Sequence, residues 1–453
     1  MQNRTLLLLL ILSLRLNAQW TNFTPNFGDT IGVKAIDIVN ENTVWSAGHR
    51  VFVKFNGYGS PDTDSAFVGV SKNGGLSWKT NQVPLGSLPL ITSISALDEN
   101  NCFIAAFFDS ANSTILKTED GGNSFTSAYS PDFGLGKAFV NYVHFFDANQ
   151  GVVMADPKNG EFLIFTTVNG GNDWTKVHPD SIPNPIPGEF AYIGTSFENW
   201  VWFGTSEGRV YRSSNKGQSW QVFQSPLDYI YSINFSDALH GICSFGYVTP
   251  NLLPVQMIIT ADGGETWNEL DYSVIGDSTA VFGFNYIPNS PYIILTTCKG
   301  SITDGYFATW VSPDRGITWQ QISIGENIHW PTFISPTIGW GGEGQQFAHK
   351  TQMFKYTGSP LVGLFSGKTL VQDWSISPNP CVDHFNLEIK SDKTESYLLL
   401  INDVQGKLVY TQSFVQDGTT PVPVNFGKLS AGNYVVTLLS KEGKAAKWMV
   451  VAE

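Results

Sequence analysis

A short motif recurs six times along the 453-residue chain, and its regular spacing constrains the fold more than any other feature. Successive copies begin 47, 49, 46, 47 and 52 residues apart. Each copy has Ser or Thr first, Asp or Asn third, Gly fifth and Trp or Phe eighth; the copies lie at 71–78, 118–125, 167–174, 213–220, 260–267 and 312–319. A repeat of this length, with several strand-like runs per unit, indicates a β-propeller.

The residues of each motif predict a tight turn between two antiparallel strands. An Asn or Asp side chain accepts hydrogen bonds from turn amides, and Gly supplies the positive φ that such a turn needs. The final Trp or Phe offers a large apolar face for packing between units. We therefore expect a structural and not a catalytic role for the third residue of the copies: Asn73, Asp120, Asn169, Asn215, Asp262 and Asp314.

A second recurring pattern gives the number of units. A short polar turn followed by a strand-like run occurs seven times, first at 39–48 and last at 335–342. The seventh unit lacks the hairpin motif, whereas residues 20–25 match the stretch that follows each motif. We expect this N-terminal strand to complete the last sheet, because ring closure removes free sheet edges. The prediction is a seven-bladed propeller over 19–357; six or eight blades would require an error in one unit.

The two ends of the chain predict export. Residues 1–18 carry Arg4, an apolar run at 6–12 and a small residue at the expected cleavage point, as in a secretory signal peptide. The run is shorter than the roughly 20 apolar residues of a membrane span, and no other segment predicts one. Residues 358–373 predict a linker, and 374–453 predict a small β-sandwich. The predicted fold class is therefore all-β.

Two resemblances to known families support this organisation. The hairpin motif resembles the Asp-box, or BNR repeat, and segments 154–160 and 187–191 resemble propellers related to photosystem II assembly factors. That resemblance implies a binding or assembly scaffold. Ser-Pro-Asn-Pro at 377–380, with 403–409 and 429–435, resembles the C-terminal sorting domain of the type IX secretion system of Bacteroidota.

The second resemblance implies a partner and a destination. The C-terminal domain would engage the type IX secretion machinery, and the protein would pass through the periplasm to the outer-membrane surface or the medium. A fibronectin-like adhesion domain is the alternative for this part of the chain.

Asp-box repeats also occur in enzymes, and the arginines and acids of the chain bear on two enzyme classes. A sialidase clamps its substrate carboxylate with three arginines. Beyond residue 18 the chain has four, namely Arg50, Arg209, Arg212 and Arg315. Arg209 and Arg212 lie three apart on one predicted strand and so point to opposite faces, which disfavours a sialidase. A carbohydrate-active hydrolase or lyase needs only two rim carboxylates and is the alternative to a binding protein without catalysis.

The candidate ligand-binding residues lie near the expected rim of the central channel. Propellers usually bind ligands there, on the loops that precede the inner strands and join the middle strands. The candidates are His49, Arg50, Asp156, Glu189, Arg209 and Trp330. Asp156 is the strongest, because an acid before proline in such a loop has no obvious packing role. The expected ligand is a protein or a glycan.

Composition and cysteine spacing exclude several other functions. A net charge of −13 disfavours nucleic acid and anionic membranes as partners. The histidine and cysteine spacing predicts no metal site, and no phosphate loop or dinucleotide fingerprint predicts a cofactor. Buried free thiols are expected at all four cysteines, with a Cys243–Cys298 disulfide as the alternative. We also expect a monomer.

Overall fold

The computed structural model consists of β-strands and two short 3₁₀ turns in the part of the chain that it describes. That part comprises residues 19–25, 27, 31–50, 65–86, 89–108, 112–128, 138–245, 255–276, 279–300, 305–343, 352–358, 361, 374–390, 394–403, 408–416, 420–440 and 443–452. The predicted signal peptide lies outside these residues, as does the predicted linker except for Gly358 and Leu361.

Seven four-stranded antiparallel sheets form the propeller within the described residues. The N-terminal strand is β1 (Trp20–Asn22). Blades one to three take consecutive strands: β2 (Ile31–Ile38), β3 (Val44–Arg50), β4 (Ala66–Ser71) and β5 (Lys79–Val83); β6 (Leu90–Ala96), β7 (Cys102–Phe108), β8 (Asn112–Thr118) and β9 (Thr126–Ser127); β10 (Val140–Phe145), β11 (Gly151–Lys158), β12 (Glu161–Thr167) and β13 (Thr175–Lys176).

Blades four to six repeat this arrangement, with 3₁₀ turns at Pro179–Ser181 and Ser273–Ile275. Their strands are β14 (Ala191–Phe197), β15 (Trp200–Thr205), β16 (Arg209–Ser213) and β17 (Gln221–Gln224); β18 (Ser232–Phe235), β19 (Gly241–Phe245), β20 (Gln256–Thr260) and β21 (Asn268–Glu269); β22 (Thr279–Tyr286), β23 (Ile293–Lys299), β24 (Tyr306–Ser312) and β25 (Gln320–Ile324). The seventh blade contains β26 (Thr332–Ser335), β27 (Ile338–Gly342), β28 (Met353–Tyr356) and, as its outer strand, β1.

The N-terminal strand closes the ring as the sequence predicted. Trp20 pairs with Tyr356 across β1 and β28, and its indole Nε1 donates a 3.1 Å hydrogen bond to Thr309 in blade six. The indole ring is 3% exposed and packs edge-on against Phe333 and Tyr356. Leu361 belongs to the same buried cluster, so packing of the seventh blade extends beyond the predicted boundary at 357.

Each hairpin motif forms the same internal network of hydrogen bonds. In the second copy, Thr118 Oγ1 accepts from the Gly122 N–H at 2.8 Å, and Asp120 Oδ1 accepts from the Ser124 N–H at 3.0 Å. Gly122 has φ +79°, which explains the glycine at this position. The bond from glycine to the first residue measures 2.6–3.0 Å in the six copies. The third residue accepts a bond of 2.7–3.0 Å from the N–H of the seventh residue in all six copies, so it holds the turn in every blade that carries the motif.

Side chains of one blade satisfy backbone groups of the next. An inner strand has no sheet neighbour on its channel side, so some of its N–H groups need other acceptors. Three such bonds join Ala96 N–H to Asp37 Oδ2 at 2.7 Å, Phe145 N–H to Ser95 Oγ at 2.9 Å, and Tyr286 N–H to Asn234 Oδ1 at 2.7 Å. These bonds fix the register between neighbouring blades.

The C-terminal domain is a β-sandwich, as predicted. One sheet contains β29 (Trp374–Ser377), β30 (His384–Ile389) and β33 (Val422–Asn425), and the other contains β31 (Glu395–Asp403), β32 (Leu408–Gln416), β34 (Gly432–Ser440) and β35 (Gly443–Val451). Phe385, Leu399 and Val436 lie fully buried between the two sheets. All four cysteines of the chain are buried free thiols, so the alternative Cys243–Cys298 disulfide is not formed.

Candidate functional site

A cavity of about 170 Å³ lies at one end of the central channel. Its walls include Lys34, Phe139, Asn141, Tyr192, Tyr231 and Trp330. These residues stand within the first residues of inner strands or just before them, so the cavity lies where the inner strands begin. We call it the channel-mouth cavity. Thr92 of β6 also lines it, so its walls come from six of the seven blades, and the complete cavity exists only in the closed ring.

A cluster of aromatic rings extends from the cavity onto the surface. The Tyr192 ring centroid lies 5.3 Å from Phe190, 6.1 Å from Tyr229 and 5.7 Å from Tyr231. We call these four residues the aromatic shelf. Phe190 is 42% exposed and the neighbouring Ile193 is 40% exposed, so part of this apolar surface faces solvent.

The aromatic shelf was missed by sequence reasoning, although a signal was present. Two aromatic pairs with one residue between them, Phe190 with Tyr192 and Tyr229 with Tyr231, stand at the beginning of successive inner strands. That is the position at which propellers usually bind ligands. The ring contacts between the two pairs depend on how blades four and five pack, which the sequence does not state.

Trp330 and Lys34 form the opposite wall of the cavity. The Lys34 ammonium Nζ lies 4.9 Å from the centroid of the Trp330 ring, within the range of a cation–π interaction. Burial lowers the pKa of Lys34 from its ordinary value. Trp330, one of the residues selected from the sequence, thus lines the cavity, together with a cation that was not selected.

Asp156 lies behind the cavity wall and orients a residue within it. Its Oδ1 accepts a 2.8 Å hydrogen bond from the Asn141 side-chain amide and a 3.2 Å bond from the Ala191 N–H. Burial raises the pKa of Asp156, although both hydrogen bonds act to lower it. The acid that had no evident packing role in the sequence therefore connects blades three and four, and Asn141 presents the polar group to the cavity.

Glu189 and Arg209 form an ion pair beneath the aromatic shelf. Arg209 Nε donates to Glu189 Oε1 at 2.9 Å, Arg209 Nη2 donates to Glu189 Oε2, and the Glu189 side chain is fully buried. Arg209 Nη2 also donates to the Asn184 carbonyl at 3.1 Å, and Glu189 Oε2 accepts from the Ile186 N–H at 2.9 Å. The pair thus fixes the loop that ends at Phe190.

His49 occupies a buried position between the first two blades. It is 4% exposed, and its Nδ1 accepts a 3.1 Å hydrogen bond from the Ile91 N–H. Burial and, to a smaller degree, the charge of Lys34 lower the pKa of His49 to about 3, so the ring is neutral at pH 7. Arg50 ends β3 and pairs with Ile31, and its side chain lies outside the described part of the structure.

The cavity wall combines one charged group with polar groups and aromatic rings. The wall presents one ammonium group, side-chain hydroxyl and amide groups, and the faces of aromatic rings. Asp156 and Glu189 are not part of it, and both carboxylates already accept hydrogen bonds from protein groups. Among the described residues, no cluster of His, Cys, Asp and Glu has the geometry of a metal site.

Two family models match separate parts of this chain. Residues 70–226 match the model described as Photosynthesis system II assembly factor YCF48, and residues 375–452 match the Secretion system C-terminal sorting domain. The chain joins a YCF48-like propeller to a type IX sorting domain. The sorting domain indicates export by type IX secretion to the cell surface or the medium. No helix among the described residues has the length and apolar character needed to cross a membrane.

Curated relatives match only part of the YCF48-like propeller. The chloroplastic photosystem II stability/assembly factor HCF136 of Oryza sativa subsp. japonica is 27% identical over 114 residues, covering 24% of this chain and 25% of the relative. Its Arabidopsis thaliana counterpart is 25% identical over 114 residues, covering 24% and 26%. The chain therefore spans about a quarter of the length of these relatives.

Solved structures share the propeller fold over most of this chain. YCF48 bound to D1 peptide has a TM-score of 0.53 and 16% identity, covering 76% of this chain and 98% of that one. YCF48 from Cyanidioschyzon merolae has a TM-score of 0.50 and 14% identity, covering 74% and 98%. The RRP9 WD40 repeats have a TM-score of 0.51 and 9% identity, covering 74% and 97%. At these identities the likeness shows the fold alone.

Proposed function

We propose that this protein is an exported propeller that binds a protein or a glycan at the channel-mouth cavity, without catalysis. The observation that carries the proposal is a cavity walled by aromatic rings and continued on the surface by the aromatic shelf. Exposed apolar surface of this kind marks interaction sites, and Tyr and Trp are enriched where binding energy is concentrated.

The surroundings of the two nearby acids also favour binding over hydrolysis. A glycoside hydrolase needs two carboxylates that flank the scissile bond, about 5–10 Å apart. Asp156 is engaged with Asn141 and Ala191, and Glu189 is engaged with Arg209. Both carboxylates accept hydrogen bonds from protein groups, and neither lines the channel-mouth cavity.

The same proposal includes the route by which the protein leaves the cell. We expect removal of residues 1–18, passage through the periplasm of a member of the Bacteroidota, and recognition of 374–453 by the type IX machinery. The mature propeller, 19–357, would then be released or held at the outer-membrane surface as a monomer, joined to the sorting domain by the 358–373 linker until that domain is removed. The solved YCF48 complex contains a D1 peptide, so the fold accommodates a peptide in at least one relative.

The test is a combined binding and turnover screen on the secreted protein. The chain beginning at Gln19 is applied to a glycan array, to surface proteins of the same cells and to a panel of polysaccharides. Asp156→Ala and Asp156→Asn variants are run in parallel. Binding without release of reducing sugar supports the proposal. Product release that Asp156→Ala abolishes would overturn it and make the protein a hydrolase or lyase.

A further inference from the structure

Lys34 is a half-buried cation in the cavity wall without an acidic partner. No carboxylate within the described part of the chain lies at ion-pair distance from its ammonium group, which instead lies over the Trp330 ring. His49, whose pKa the charge of Lys34 helps to lower, is neutral at pH 7 and does not balance that charge. A cation taken partly out of water gains most from a ligand that brings the missing negative charge.

We propose that the channel-mouth cavity is an anchor subsite for one uronic acid residue of a glycan, with Lys34 as the counter-ion of the sugar carboxylate. This inference rests on the proposed binding function and names the ligand class for the same site.

The size of the cavity limits the ligand part that enters it. Pockets for drug-sized ligands measure about 300–1,000 Å³, whereas this cavity has about 170 Å³. It therefore admits one residue of a longer ligand. Tyr192 and Trp330 contribute aromatic rings for contact with a sugar ring. The Asn141 Nδ2 already donates to Asp156 and to the Phe139 carbonyl, so its Oδ1 is the atom that can accept from a sugar hydroxyl. The exposed Phe190 on the aromatic shelf lies where the next residue of the glycan would emerge.

The backbone around the cavity disfavours an extended peptide as the occupant. A peptide that adds to a sheet gains affinity from main-chain hydrogen bonds with a free strand edge. Near the cavity, however, the Ile91 N–H already donates to His49, and the Ala191 N–H already donates to Asp156. Recognition by side-chain groups and ring faces, which suits a sugar, does not require these amides.

The charge of the whole protein restricts the glycan further. A net charge of −13 repels a polyanion at long range. The ligand expected from this balance is an otherwise neutral oligosaccharide with a single uronic acid. Added salt screens the long-range repulsion more than the contact inside the cavity. Affinity should therefore hold or rise between low and physiological salt, opposite to the behaviour of a protein that binds polyanions through a basic patch.

The experiment measures binding of D-glucuronic acid, with D-glucose as the neutral control and a short neutral oligosaccharide with and without one glucuronic acid residue. Titration calorimetry of the secreted protein measures the affinity for each sugar. Lys34→Met keeps the aliphatic stem over the ring and removes the charge, Lys34→Arg keeps the charge, and Lys72→Met on a peripheral hairpin is the matched control. Thermal unfolding verifies that every variant is folded.

The expected result is a preference of at least about tenfold for the acidic over the neutral sugar, because only the carboxylate can accept a charge-assisted hydrogen bond from Lys34. Lys34→Met should abolish this preference, Lys34→Arg should retain part of it, and Lys72→Met should leave it unchanged. Equal binding of both sugars, or a preference that survives Lys34→Met, would overturn the assignment. A peptide carboxylate that binds more tightly than the uronide would also overturn it while leaving the proposed binding function intact.

Discussion

The carboxylate of Asp156 accepts a 2.8 Å hydrogen bond from the side-chain amide of Asn141, and this bond connects the third blade to the wall of the channel-mouth cavity. The same oxygen, Oδ1, accepts from the Ala191 N–H of blade four. One acid thus orients a cavity residue and joins two blades. Its importance depends on the closed ring, because the three groups come together only when successive inner strands pack side by side.

Two replacements of Asp156 should distinguish the contribution of its hydrogen bonds to stability from the contribution of its charge. Asp156→Ala removes the acceptor of two bonds and should lower the free energy of unfolding by about 1–3 kcal/mol. Asp156→Asn keeps an oxygen for both bonds, and burial already favours the neutral form, so it should cost less than about 1 kcal/mol. Urea unfolding at pH 7 measures both values. Equal losses in the two variants would show that the charge and not the hydrogen bonding matters.

Loss of one partner of the Glu189–Arg209 pair should be strongly destabilising. Glu189→Ala leaves the guanidinium group in a partly buried site without its counter-ion, and such a loss costs about 3–5 kcal/mol. The double variant Glu189→Gln with Arg209→Gln should lose less free energy of unfolding than the sum of the losses in the single variants Glu189→Gln and Arg209→Gln. The reason is that the double variant leaves no unpaired charge behind. A double-mutant cycle by chemical denaturation gives the coupling. Additive costs would contradict an ion pair that holds the loop before Phe190.

Asp37 should make stability depend on pH. Burial raises the pKa of Asp37 to about 6, although the Ala96 and Ile38 N–H groups act to lower it. A carboxyl with a raised folded-state pKa favours the folded state at low pH, and this contribution disappears as pH rises from about 4 to about 6. Asp37→Asn should therefore raise the free energy of unfolding by about 1–3 kcal/mol at pH 7.5 and by less at pH 4.5.

A reciprocal variant provides the control for Asp37. In blade five Asn234 already accepts the corresponding bond from the Tyr286 N–H, so Asn234→Asp should introduce the same loss of stability above pH 6. Denaturant titrations of both variants at the two pH values measure the effect. An Asp37→Asn gain of the same size at pH 4.5 and pH 7.5 would contradict the raised pKa.

Ring closure should depend on Trp20. Trp20→Ala removes a 3% exposed indole from the seventh blade and should cost about 3–5 kcal/mol. Leu76→Ala, at a side chain that is 76% exposed on a peripheral turn, is the control and should change stability by less than about 0.5 kcal/mol. Thermal unfolding compares the two. A small effect of Trp20→Ala would mean that the seventh blade is stable without its outer strand.

The architecture could be read from the sequence because its signals are local. The residues that form each turn all lie inside one eight-residue motif, as the bonds of Asp120 with Thr118 and Ser124 show. The match between residues 20–25 and the stretch after each motif predicted that the N-terminal strand completes the last blade, and β1 pairs with β28 in the structure. Periodicity reports strands and turns well, and ring closure follows from counting them.

The site could be predicted only in part because its contacts join distant residues. Trp330 was selected as a residue near the channel and lines the cavity, but nothing in the sequence places Lys34 over its ring. Asp156 and Glu189 were selected as acids of the rim, whereas their partners turn them into supports of the wall and loop. The side-chain partners of a residue depend on strand register between blades, and no periodic pattern encodes that register.

Binding at the channel mouth is tested most directly by the affinity of Tyr192→Ala for the glycan or surface protein found in the screen. Val168→Ala, at a side chain 72% exposed on a peripheral hairpin, is the control. We expect Tyr192→Ala to weaken binding by at least about tenfold, as loss of a central aromatic contact does, and Val168→Ala to leave it unchanged. Unchanged binding by Tyr192→Ala together with loss in Val168→Ala would place the interaction on the blade periphery and contradict a ligand site at the channel mouth.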